Sequence, residues 1–274
     1  MKKLFTLLVL SITFSMNAQW SYNSGSTGIQ SSTNDASGSR AIAMGGYTTA
    51  SGDFTTSMGR YTTASGNRAT AMGERTTASG IWSTAMGYYT TASGLASTAM
   101  GYYTTASDYA STVIGHYNSS GSSATSANSF STSAPAFVIG NGANSSNKSD
   151  AFKVMFNGDT TVSNDLTVSG DVVISSDARL KSNIVSLGST LPKLLQIDGK
   201  SYEMKGKQKI GVLAQEIQEV FPELVSEDDN EMLAVNYQGL VPVLINALKE
   251  QDKIIKSQEE RLTNIENLIA NLND

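Results

Sequence analysis

The sequence predicts a mainly β N-terminal part, built as a β-solenoid and a β-stalk, followed by an α+β unit that ends in a parallel trimeric coiled coil. Three observations carry this. A 14-residue repeat runs through residues 43–121. At Ser175-Ser176-Asp177-Ala178-Arg179-Leu180-Lys181 the composition changes from Ser, Thr, Gly and Ala to charges, leucines and helix formers. Beyond residue 237, apolar residues recur at spacings of three and four. A break this sharp separates two kinds of folding unit.

Composition bounds the chemistry. The 274 residues contain no cysteine and one histidine, His116, so no disulfide, thiolate metal site or histidine cluster is expected, and no cofactor. A net charge of −5 argues against nucleic acid as a partner. Residues 1–18 read as a secretory signal: Lys2 and Lys3, an interrupted apolar run from Leu4 to Phe14, and Met16-Asn17-Ala18 before a cut at Ala18–Gln19. That run is short for a membrane span, and no later stretch replaces it, so a secreted or cell-surface protein without an integral membrane anchor is expected. Residues 19–42 form a leader.

The repeats come next. Met44-Gly45, Met58-Gly59, Met72-Gly73, Met86-Gly87 and Met100-Gly101 recur every 14 residues, and Ile114-Gly115 continues the series. Ala50-Ser51-Gly52, Ala64-Ser65-Gly66, Ala78-Ser79-Gly80 and Ala92-Ser93-Gly94 share the frame, with Asp108 in place of the next glycine. Two short β-prone pieces and two glycine corners per repeat fit one solenoid coil, and 14 residues are too few for a helical hairpin. The Met/Ile ladder is expected to point inward as an apolar stripe shared between chains. Tyr47, Tyr61, Tyr89, Tyr103 and Tyr117 occupy one repeat position, with Arg75 in the third copy. Tyr61, Tyr89 and Tyr103 are candidate binders of host or surface glycans or proteins; the alternative is structural ring stacking between coils. His116, beside this ladder, is expected to be an ordinary solvated residue. The register Ala-Met-Gly followed by Ala-Ser-Gly resembles the left-handed β-roll head of trimeric autotransporter adhesins. Those adhesins end in a membrane β-barrel; no such end is read in these residues, so anchoring by that route is not expected.

Residues 122–175 form the connector. Ala136 to Gly142 look like one more coil with larger side chains. Asn157-Gly158 marks a turn, and Thr160–Val162, Asp165–Val168 and Val172–Ile174 read as strands of a β-stalk. They are too sparse in apolar residues for a core within one chain, so intertwining of three chains is expected.

The unit from Ser176 to 240 opens with Ser176-Asp177-Ala178-Arg179-Leu180-Lys181. Ile210-Gly211-Val212-Leu213-Ala214-Gln215-Glu216, Val220-Phe221-Pro222-Glu223-Leu224-Val225, Val235-Asn236-Tyr237 and Leu240-Val241-Pro242-Val243-Leu244-Ile245 follow. In order and spacing they resemble the endosialidase-type intramolecular chaperone, a self-cleaving peptidase. The resemblance implies a homotrimer that templates the preceding fibre. The chaperone is then released by cleavage at Ser175–Ser176, with Ser176 as nucleophile and Lys181 as base. Some members also use a histidine, which this unit lacks. Independently, a serine needs a base to become a nucleophile, and a lysine can be that base only when neutral, which burial or the neighbouring Arg179 would favour. Five residues span about 140° of a helix, so the pair needs a turn, an extended backbone or a second chain. The structural alternative is Ser176 or Asp177 as the N-cap of a helix starting near Ala178.

The coiled coil covers residues 241–274, on a helix starting near Tyr237. Val241, Leu248, Ile255, Leu262 and Ile269 take the a positions, and Leu244, Gln251, Gln258, Ile265 and Leu272 the d positions. Isoleucine at both a and d favours three or four strands over two, and the glutamines fix register. The expected protein is an exported trimeric fibre or adhesin whose only enzymatic act is one autoproteolytic turnover. The alternatives are a purely structural surface fibre and a phage-derived tail-fibre protein.

Overall fold

The structure is a computed structural model that describes residues 33–228 and 231–272 together with the strands Ser21–Tyr22 and Ile29–Gln30. The signal and its cut at Ala18–Gln19 lie outside the described residues. The chain divides into two units, one ending at Val172 and one beginning at Val173.

The first unit is a β-solenoid. Six long strands, from Ile42–Gly46 to Thr112–His116, pair in parallel, each residue with the one 14 positions on. The short strands Thr49–Ala50, Thr63–Ala64, Thr77–Ala78, Thr91–Ala92 and Thr105–Ala106 form a second parallel ladder. Pro135–Asn141 continues the long-strand sheet after an insertion, pairing Val113 with Val138 and Ile114 with Ile139. Asp150–Met155 and Thr160–Val162 extend it antiparallel. Between them the chain reverses at Asn157-Gly158, where Met155 N–H donates to Asp159 C=O at 2.8 Å.

The coil interior corrects one expectation. Ala71, Ala85, Ala99 and Val113 on the long strands are buried, with Ala64, Ala78, Ala92 and Ala106 opposite. The methionines lie on the outer side of the long strands, half-buried or, at Met44 and Met100, exposed. A strand presents alternate residues to its two faces. The coil is thin and its interior positions hold small side chains, Ala, Ser and Thr with Val113 and Val138 at the last turns, so Met is left on the outward face beside the half-buried threonines.

The two glycine series are not equivalent either. Gly59 has φ +118, a conformation that suits glycine. Gly80 has no positive φ; there a Cβ would meet the Gly94 carbonyl oxygen at 2.1 Å. Close approach of the next coil excludes the side chain. Where no regular coil follows, Asp108 is accommodated, and its Oδ1 accepts from Thr125 and Ser126 N–H at 2.6 Å each, tying the insertion across the end of the stack. The turns themselves use residues other than glycine. From Arg40 to Tyr117, every seventh residue has φ between +40 and +61, Tyr47, Tyr61, Tyr89 and Tyr103 among them.

Both ends of the interior Thr column carry asparagine. Asn34 accepts from Thr48 N–H at 3.0 Å and donates to Gly45 C=O at 3.0 Å. Asn118 accepts from Thr105 N–H at 2.8 Å and donates to Thr105 C=O at 2.9 Å. A side-chain amide thus supplies the donor and acceptor of a missing rung, which protects an open sheet edge.

The stalk expectation holds only in part. Residues 165–168 and 172–174 form no strand, and Leu166, Val172, Val173 and Ile174 are exposed. Strands need a paired neighbouring strand, and neither segment takes part in any of the strand pairings between described residues.

The second unit has a small core. Ile217 and Phe221, on α2 and at its end, pack with Val243; Leu194, Val212, Leu224 and Val235 are packed around them. Here α1 is Leu191–Leu194, α2 is Ala214–Val220 and α3 is Leu240–Leu272. The hairpins Lys200–Met204/Lys207–Gly211 and Val225–Glu227/Leu233–Val235 complete it. Val212 N–H donates to the Tyr237 phenol at 3.2 Å, joining two of the motif segments. The long helix starts at Leu240, after a 3-10 turn at Tyr237–Gly239. It turns Val243 and Ala247 to the core, while the apolar a and d positions stay 44% to 84% exposed.

Candidate functional site

The sequence around Ser176 builds a short clamp. Asp177 precedes the 3-10 turn Ala178–Leu180 and caps it, its Oδ1 accepting from Arg179 N–H at 2.8 Å. The same carboxylate takes the Arg179 guanidinium in a fork, Nε at 3.0 Å and the second nitrogen at 2.7 Å. That guanidinium, together with the Arg179 amide, holds the Asp177 carboxyl below the usual carboxylate range. After the turn, Lys181 is extended, φ −121 and ψ 146. Its Nζ donates to Ser176 Oγ at 2.7 Å. The five-residue gap that a helix could not bridge is therefore closed by a tight turn within one chain. The N-cap alternative and the Ser–Lys contact coexist, because Asp177 does the capping and leaves Ser176 free for the lysine.

Chemically, a hydroxyl in hydrogen-bond contact with an amine is a nucleophile–base pair once the amine is neutral. In the single chain both Ser176 and Lys181 are exposed, and Arg179 is engaged by Asp177.

The second candidate region is the aromatic ladder. Tyr47 stacks on Tyr61 at 5.1 Å, Tyr89 on Tyr103 at 4.6 Å and Tyr103 on Tyr117 at 4.7 Å. These separations match the spacing of neighbouring strands. Arg75 fills the gap, its guanidinium 5.4 Å from the Tyr61 ring and 5.0 Å from Tyr89, and it donates to the Tyr89 hydroxyl. A second column runs alongside, with Tyr88 on Tyr102 at 5.1 Å and Tyr102 on His116 at 4.9 Å. Partial burial in the stack, then the neighbouring phenols, push the Tyr103 and Tyr117 hydroxyls above the usual phenol value. The faces of Tyr89 and Tyr103 cover each other, so these rings offer their edges and hydroxyls outward.

His116 is thus not an ordinary solvated residue. It is half-buried, ends the second column and shares a hydrogen bond with the Gly142 carbonyl through Nδ1. The signal was present in the sequence, since His116 lies 14 residues after Tyr102 and 28 after Tyr88. The Asp177–Arg179 clamp had no comparable signal beyond the proximity of the two charges.

Two family models match parts of the chain. Residues 176–226 match the family model described as chaperone of endosialidase. Residues 36–62, 64–90 and 92–118 match the YadA head domain repeat, whose model spans two copies of the repeat. No curated protein matches the chain. Over those segments the chain is similar to the YadA head and to the chaperone of endosialidase, the architecture of an adhesin-like or tail-fibre-like surface or secreted protein that carries a chaperone domain.

Proposed function

We propose that the protein is exported and assembles as a homotrimer. In this reading residues 43–121 are the β-roll head and 122–175 the stalk, while 176–240 with the helix of 241–274 form an intramolecular chaperone. The chaperone templates assembly and is then released by cleavage of its own chain at Ser175–Ser176. The observation that carries this is the 2.7 Å contact between Lys181 Nζ and Ser176 Oγ, at the first residues of the chaperone match.

The steps balance as follows. Neutral Lys181 takes the Ser176 hydroxyl proton while Oγ attacks the Ser175 carbonyl carbon. The Ser175–Ser176 C–N bond breaks, and the departing amine takes the proton back from Lys181. The Ser175 acyl group is left as an ester on Ser176 Oγ. Water hydrolyses the ester, giving a Ser175 carboxylate and a chain that begins with the free amine of Ser176. Desolvation of Lys181 would come from packing of neighbouring protomers, which ties the chemistry to assembly. The exposed a and d seam of α3 supplies the means of assembly: three parallel copies would bury it.

Expression of the whole chain, followed by intact and native mass spectrometry, tests the reading. The expected result is a trimer that splits between Ser175 and Ser176, and a Ser176→Ala chain that forms the trimer but stays whole. A wild-type trimer that never splits would sink the cleavage reading.

For the released fibre, the covered ring faces of Tyr89 and Tyr103 favour a structural role for the ladder over carbohydrate stacking. Replacement of both by alanine is then expected to leave binding to glycans or cells unchanged while loosening the coils.

A further inference from the structure

Asp177 and Arg179 do more than cap a turn. Asp177 makes three hydrogen bonds to Arg179, one from its backbone amide and two from its guanidinium. Together they fix the path of the chain between Ser176 and Lys181. The turn Ala178–Leu180 has no buried residue, so core packing does not hold it. The clamp closes the turn alongside two backbone bonds, Leu180 N–H to Asp177 C=O and Lys181 N–H to Ala178 C=O at 3.1 Å each, and Lys181 Nζ then reaches Ser176 Oγ at 2.7 Å.

We infer that Asp177 and Arg179 are positioning residues for self-cleavage: their forked ion pair holds the turn that delivers Lys181 to the Ser176 hydroxyl. This rests on the proposed cleavage at Ser175–Ser176. Neither residue touches the scissile bond in this arrangement; both act through the placement of the base. The pairing also keeps the Arg179 charge on Asp177. Displacement of a reacting group by about 1 Å costs on the order of a hundredfold in rate. Asparagine at 177 retains an acceptor for the Arg179 amide but loses the ionic fork. Lysine at 179 retains the charge but cannot present two parallel N–H groups.

The test follows the splitting of the whole chain with time after cell-free synthesis, with trimer formation measured in parallel by native mass. Wild type, Asp177→Ala, Asp177→Asn, Arg179→Ala, Arg179→Lys and the double alanine variant are compared, each with and without added methylamine. Asp177→Ala and Arg179→Ala are expected to form trimers and to split about a hundredfold more slowly. Asp177→Asn should fall between Asp177→Ala and wild type, and Arg179→Lys should not recover the wild-type rate. The double variant should be no slower than the slower single one, because both residues serve one clamp. Methylamine should restore part of the rate to Asp177→Ala, as to Lys181→Ala, because what is missing is a base at the hydroxyl. It should do nothing for Ser176→Ala. Should Asp177→Ala not assemble, Asp177→Asn with methylamine decides the question. Single variants that split at the wild-type rate while wild type itself splits overturn the inference and leave the cleavage reading standing. Slow trimers that methylamine cannot rescue overturn it too, since the role is then only structural. A wild-type chain that never splits removes the cleavage reading, and the inference with it.

Discussion

The coils of residues 42–116 and the unit after Val173 solve burial in opposite ways. In the coils, buried side chains are tiny and cohesion comes from two parallel hydrogen-bond ladders, close backbone approach and stacked rings. The backbone rungs pair with one another and asparagines close the ends, while inside the coil the hydroxyls of Thr48, Thr76, Thr90 and Thr104 are buried without a partner. Among its described residues the second unit has four buried apolar side chains, Ile217, Phe221, Val243 and Ala247, and a 33-residue helix with an apolar seam in the open. A core that small is marginal without added burial. The contrast teaches that open apolar surface is concentrated on the last helix, while the head contributes regularity. A chaperone that can be discarded after assembly is consistent with that division.

The largest expected effect breaks the second half of the comparison. Ile255→Asp, at an exposed a position, should cost little in a lone chain but abolish the trimer, because three carboxylates would be buried at one layer. Native mass and sedimentation read this directly; a variant that stays trimeric contradicts the seam. Next is Gly80→Ala, where the added Cβ meets a backbone oxygen at 2.1 Å. Forcing the coils apart is expected to cost about 3 kcal/mol, seen as a lowered unfolding midpoint of the β signal. The same change at Gly46, where a Cβ would meet nothing within 4 Å, should cost far less.

The smallest effect concerns Glu250 on α3. It accepts from Thr190 N–H and, at 2.7 Å, from the Ser189 hydroxyl, capping α1 from sixty residues away. Those hydrogen bonds, the Thr190 amide foremost, hold its carboxyl below the usual value. Its contribution is therefore fully present above the ordinary carboxylate range and is lost as pH falls through the lowered folded value. Urea midpoints of the second unit should decline on acidification, and Glu250→Gln should flatten part of that decline. Asp177, shifted in the same direction, supplies some of the remainder. An unchanged acid slope in Glu250→Gln would show that the cap contributes nothing to stability.

Particular residues show how much was readable in advance. The 14-residue period placed the parallel strand pairs of the coils between Ile42 and His116, and Asp108 in a glycine position marked the last regular coil. Asn34 and Asn118 stand at the two ends of one repeat position, a cap signal equally present in the sequence. The Ser176–Lys181 spacing raised the pair as a site, but its 2.7 Å contact depends on a turn that spacing alone does not dictate. The inward methionine stripe failed because alternation names two faces without saying which is inside. Strands at 165–168 and 172–174 do not form because neither segment joins a sheet among the described residues.

The sequence by itself determined the repeat length, the position of the break at Ser175–Ser176 and the heptad of the last helix. All three are periodic or compositional properties, and physics acts on them locally. Only the tertiary structure decided that alanine rather than methionine fills the coil. It also placed His116 in an aromatic column, set Glu250 to cap a helix sixty residues earlier, and routed Lys181 to Ser176 through the Asp177–Arg179 clamp. Those outcomes depend on cross-section, close approach and the direction in which a turn delivers a side chain, which are fixed only when the chain is folded.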